Sequence, residues 1–216
     1  MDIYWELPKK RKFSELGDEN DVVEPKKLKL IEDKDKMIYA LDTEIHFTEQ
    51  ITKITIETLI KKITKVINKY HDEYVGTDKK LNITFVIDSP GGCLSSTFKF
   101  IDFIMSTKKK YPYIEFTSVI TGSCCSGASL ITVIADKRQM TRLASVMIHT
   151  LHAMKTDFYD HLMSYSDHLQ TQHEKMVKIY LDHSNCTRKQ LETFLTNETW
   201  FDPETYLKLG FIDEII

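Results

Sequence analysis

The chain has 216 residues, 28% of them charged, yet 29 Lys and Arg against 32 Asp and Glu leave a formal net charge of only −3. That size fits one domain, or two small ones, with a real core, and the near balance of charge implies no nucleic-acid-binding surface. No apolar run approaches the roughly 20 residues of a membrane span, and Met1-Asp-Ile-Tyr-Trp5 leads straight into charge, so no secretory leader is expected. Cys93, Cys124, Cys125 and Cys186 lack the paired Cys-x-x-Cys spacing of a zinc site. They read as reduced thiols of a cytoplasmic protein, and no cofactor, metal or phosphate-binding loop is expected.

Residues 1–35 are polar and charged without useful periodicity, which predicts a flexible arm ahead of a domain over 36–216. The arm holds Pro8-Lys-Lys-Arg-Lys12, a weak match to a nuclear localisation signal. Met37–Leu41 reads as a strand, and a helix follows on Ile51, Ile54, Leu59, Ile63, Val66, Ile67 and Tyr70, capped near Thr48. Ile83–Ile87 is a continuous apolar run, as in a parallel strand covered on both faces. A helix over Ser95–Met105, a strand over Ile114–Ile120 and a helix beginning near Ser126 come next. Short strands at Gln139–Thr141 and ending at His149 complete an alternation typical of βαβ units in an α/β domain. A long amphipathic helix occupies about 157–184 and would extend about 40 Å, too far to stay within a domain of this size. Thr187-Arg-Lys-Gln190 has the form of a capping box, Asp202-Pro203 that of a cap and first helical residue, and Gly210 that of a stop.

Only seven glycines are present, and Gly91, Gly92, Gly122 and Gly127 fall in two motifs, Ser89-Pro-Gly91-Gly92 and Gly122-Ser-Cys-Cys-Ser126-Gly127-Ala-Ser. A serine between a strand and a helix stands with its hydroxyl in the open and unpaired backbone N–H groups beside it, where a nucleophile belongs if an oxyanion is to form. Ser126 also suits a plain helix N-cap, and His149, closing Ser145-Val-Met-Ile-His149, suits a satisfied core histidine. Together they suggest a serine hydrolase whose nucleophile precedes its histidine. His152 is the nearest rival base, but three residues along a strand it would face the other side. Cys124 and Cys125 read as small buried fillers, with a cysteine nucleophile as the minor alternative.

Ser89-Pro-Gly-Gly, a serine at a strand-to-helix turn, Met-Ile-His and a closing Gly210-Phe-Ile-Asp213, in that order, resemble the proteolytic subunit family of the Clp protease over residues 37–216. The resemblance implies the Clp/crotonase-like fold, a spiral of ββα units with a projecting helical handle, here the long helix. It also implies an endopeptidase with Ser126 as nucleophile, His149 as general base and the N–H groups of Gly91 and Gly127 as oxyanion hole. Members form rings, single heptamers or stacked pairs, enclosing a chamber, cleave peptides or unfolded proteins, and usually rely on an ATP-driven unfoldase.

The chain departs from the family pattern in three places. Two cysteines replace the alanines before the serine, and glycine follows it directly, which looks more like Clp-type proteases of bacteriophages and other viruses. The acid position falls on Glu198, with Asn197 as its rival and Asp202 better explained as a cap. Thr150-Leu-His-Ala-Met-Lys155 stands where the family has proline and glycines leading into the strand beside bound peptide. Two further functions stay open: a crotonase-like enzyme acting on acyl-thioesters, and a catalytically silent ring subunit.

Overall fold

A computed structural model describes residues 38–216; the basic cluster at 8–12 and the arm expected over 1–35 lie outside the described residues. The chain is an α/β protein with one eight-stranded sheet. Strands β1 (Ile38–Leu41) and β2 (Glu44–Phe47) form a hairpin through Asp42, whose φ of 57° is a conformation short polar residues tolerate. Helix α1 (Lys53–Tyr74) follows, then β3 (Leu81–Ser89), α2 (Leu94–Lys110) and β4 (Ile114–Cys125). The short α3 (Gly127–Val133) leads to β5 (Lys137–Met140) and β6 (Ser145–Ile148). The long α4 (Tyr159–Asp182), α5 (Arg188–Thr196), β7 (Thr199–Phe201), α6 (Pro203–Lys208) and β8 (Glu214–Ile215) complete the order.

From β2 onward the main path β2-β3-β4-β5-β8 is parallel throughout. Strand β4 is the hinge of the design. Its middle, Thr117–Ile120, pairs with β5, while its end, Ser123–Cys125, pairs in parallel with β6, which turns antiparallel to β7. Cys125 stands opposite Met147, so the residues just beyond both strands, Ser126 and His149, emerge at adjacent carboxyl ends.

Several elements differ from expectation for identifiable reasons. Helix α1 is capped by Thr52 in a reciprocal box with Thr55, four residues after Thr48. The delay comes from Ile51, held extended by donating to the Gly91 carbonyl at 2.7 Å and accepting from Cys93 N–H at 2.9 Å. Strand β3 alternates instead of being covered on both faces: Leu81, Ile83, Phe85, Ile87 and Ser89 are buried, while Asn82 and Asp88 are exposed. Strand β4 runs on past Ile120 through Gly122, because Ser123 N–H donates to Asp88 Oδ1 at 2.9 Å across the sheet.

The carboxyl-terminal third locks onto this sheet. Thr187 and Gln190 form the capping box of α5, and Asp202 caps α6 ahead of Pro203. Arg138 on β5 pairs with Asp213 and donates to the carbonyls of His183 at 2.7 Å and Gly210 at 2.9 Å, fixing the chain end that carries Phe211 and Ile212 into the core. Helix α4, at 24 residues and about 36 Å, buries Met176, Val177 and Tyr180 near its end. Ahead of its midpoint Phe158, Tyr159 and Met163 are exposed. Among the described residues no helix is long and apolar enough to cross a membrane.

Candidate active site

Ser126 occupies a strained turn. Its φ of 55° and ψ of −124° lie outside the regions a side chain prefers, a cost of about 1–3 kcal/mol that persists only where surrounding structure over-determines it. Here both flanks are tied. Ser126 N–H donates to the Met147 carbonyl of β6 at 2.8 Å, and the Ser126 carbonyl accepts from Ser129 N–H at 3.1 Å and Ser129 Oγ–H at 2.6 Å. The α3 residues that follow are all buried.

Gly91 makes the close approach that this turn requires. Its φ is 81°, and a Cβ built there would stand 2.8 Å from Ser126 Cβ and 3.0 Å from Gly127 N, in collision with the Cys125 carbonyl. The Gly91 N–H is itself engaged, donating to Ser89 Oγ at 3.2 Å, while Ser89 Oγ donates to the Glu49 carbonyl at 2.6 Å. The N–H of the next residue, Gly92, has no hydrogen-bond partner among the described residues, and Gly92 lines the same cavity as Ser126 and Gly127.

That cavity, about 320 Å³, is also lined by His149, His152, Met176 and Tyr180. Ser126 and His149 therefore line one cavity, although no hydrogen bond joins their side chains among the described residues. Burial pushes the His149 imidazole below its ordinary pKa; His152 lowers it further, while the Glu198 charge and the Thr150 backbone act the other way. A neutral imidazole is the form that takes a proton. Its Nδ1 is buried without a partner among the described residues.

The two candidates for the acid position are less closely built into the cavity. Glu198 is exposed, sits at φ 49° between α5 and β7, and reaches His149 and Cys125 through space, not through a hydrogen bond. Asn197 closes α5, its N–H donating to the Thr193 carbonyl at 3.2 Å, and its side chain is likewise exposed. His152 corrects an expectation: its ring centroid lies 4.4 Å from that of His149, on the same side and not the opposite one. Residues 150–157 form no regular strand, so the alternation of side chains along a strand does not apply.

The thiols sort in an unexpected order. Burial pushes Cys124 and Cys125 up, which leaves them inert fillers beneath the turn. Cys93 is exposed, lines the cavity, and is drawn down to about 7 by hydrogen bonds from Ser95 and Ser96. Its place after Gly92 at the start of α2 was the available signal. A second groove of about 740 Å³ adjoins the first through Cys93, Leu94, Leu151 and His152, and extends between α2 and α4 past Phe98 and Leu169.

A Clp protease family model matches residues 35–216. The ATP-dependent Clp protease proteolytic subunit of Streptococcus mutans is 30% identical over 147 residues, 64% of this chain and 70% of that protein. Subunit 1 of the same enzyme from Protochlamydia amoebophila is 27% identical over 145 residues, 65% of this chain and 68% of that protein. The Streptococcus suis subunit is 27% identical over 150 residues, covering 64% and 70%. The chain belongs to the Clp protease family, with its α/β fold, and is a serine-type peptidase.

Proposed function

We propose that Ser126 is the acyl-forming nucleophile of an endopeptidase, with His149 as its general base. The observation that carries this reading is the strained, doubly tied Ser126 turn opening into the same cavity as His149. His149 takes the hydroxyl proton as Ser126 Oγ attacks the scissile carbonyl, then returns it to the leaving amine; water then cleaves the acyl-enzyme by the same route. The oxyanion is received by the N–H groups of Gly127 and Gly92. Gly91, whose N–H is engaged by Ser89, supplies the close backbone approach instead. Glu198 acts as the acidic partner by holding negative charge near the imidazole.

The adjoining groove, with Phe98, Leu151 and Leu169 along it, suits an extended peptide carrying a large apolar side chain. The relatives' names, which specify an ATP-dependent proteolytic subunit, support delivery of unfolded protein by a separate ATP-driven partner. The exposed apolar part of α4 supports assembly into a homo-oligomeric ring.

The test is hydrolysis of fluorogenic peptides and an unfolded protein by the full chain and its variants. Ser126→Ala and His149→Ala should each lower turnover by at least ~10³-fold with the oligomer unchanged. A Ser126→Ala variant that keeps its activity would overturn the assignment. Coenzyme A binding by an inactive wild type would move it to acyl-thioester chemistry, and absence of both activities in an assembled ring would mark a silent subunit.

A further inference from the structure

Ser129 and Tyr180 form a fully buried polar chain that ends on the nucleophile. Ser129 Oγ lies 2.6 Å from the Ser126 carbonyl oxygen and 2.6 Å from Tyr180 Oη. Ser129 is fully buried and Tyr180 is 1% exposed. Proton bookkeeping fixes the direction. A carbonyl only accepts, so the single Ser129 hydroxyl proton points at Ser126; the Tyr180 hydroxyl must then donate to Ser129 Oγ. Each bond polarises the next, which strengthens the whole run in a low-dielectric interior. Burial pushes the Tyr180 phenol up, so it stays protonated and remains a donor.

The placement of Tyr180 gives the chain its meaning. The residue belongs to the last turns of α4, the only part of that helix seated in the core, and it also lines the cavity beside Ser126 and His149. Its ring is fixed by edge-on packing against Phe211 at 5.9 Å. On the amino side the Ser126 turn is held by β6; on the carboxyl side the side-chain tie runs through Ser129 to α4.

We propose that Tyr180 is a positioning residue for the nucleophile: through Ser129 it holds the Ser126 carbonyl, and so couples the seat of α4 to the aim of the Ser126 hydroxyl. This inference rests on the reading of Ser126 as nucleophile. Tyr180 itself transfers no proton and contacts no reacting atom; its effect reaches substrate only through the backbone of the turn.

The experiment is the rate of Ser126 phosphonylation by a fluorophosphonate probe, measured on the full chain across pH, with melting temperature and oligomeric state recorded for every variant. Tyr180→Phe, which removes one oxygen, should slow labelling about tenfold at every pH, without moving the acid limb set by His149. Ser129→Ala should slow it comparably, and Tyr180→Phe should add nothing further in the Ser129→Ala background, because the link is already broken. Additive effects, or a Tyr180→Phe rate equal to wild type, would overturn the inference while leaving the nucleophile intact. If Tyr180→Phe fails to fold, Ser129→Ala decides the matter, with a wild-type rate counting against the proposal. A wild-type chain that is never labelled at Ser126 would overturn the nucleophile reading and this inference with it.

Discussion

Ser126 and His149 enter one cavity from neighbouring strand ends, yet the two ends are held in different ways. The serine turn is bonded on both sides, overlies the fully buried α3 and touches Gly91 with no room for another atom. The histidine begins an irregular segment, residues 150–157, has a buried Nδ1 without a partner among the described residues, and feels the Glu198 charge only through space. A residue held in an unfavourable φ,ψ must be over-determined or the turn relaxes. An imidazole that moves a proton between two partners needs the right charge environment more than a rigid frame.

This contrast can be broken first at its rigid half. Gly91→Ala places a methyl against the Cys125 carbonyl and the Ser126 side chain, so peptide hydrolysis should fall by ~10²-fold or more, with a lower melting temperature. Near-wild-type turnover in that variant would show that the turn is less constrained than its contacts indicate. On the softer half, Glu198→Gln should lower turnover by less than about tenfold, since no hydrogen bond is lost. It should also move the acid limb of kcat/KM to lower pH, because the charge that raises the His149 pKa is gone. His152→Gln should move that limb to higher pH, having removed a group that lowers the same pKa. Shifts in the same direction would contradict the assignment of His149 as the titrating base.

The smallest effect is expected at Tyr206, as fully buried as Tyr180 but with a hydroxyl lacking a partner among the described residues. Tyr206→Phe removes an unsatisfied polar group, so the melting temperature should stay level or rise and activity should not change. A clear loss of stability would reveal a partner for that hydroxyl.

What was legible in the sequence follows the same division. The serine turn is written locally: glycines where backbones approach, small residues in the first turn of α3, and an apolar strand on each side. The Thr187-Gln190 capping box and the Asp202-Pro203 start are local too, and are readable in the sequence, whereas the Thr52-Thr55 box of α1 is not. The short strands β2, β7 and β8 carry too few residues to show periodicity. The extension of β4 through Gly122-Ser123 was hidden because Gly-Ser signals a turn, and only the Asp88 bond from a neighbouring strand overrides it. That the Gly91 N–H is engaged depends on where Ser89 Oγ points, which is tertiary information. The side on which His152 falls is not legible either, because the backbone at 150–157 is irregular and strand alternation does not apply to it.

The most direct measurement is the location of the adduct after the thiol-blocked, full-length chain reacts with a fluorophosphonate probe, read by peptide mass spectrometry. A single adduct on Ser126 is expected, absent from Ser126→Ala and slowed as pH falls through the His149 transition. An adduct on another hydroxyl, or loss of all activity on blocking Cys93 with Ser126 left unmodified, would contradict it.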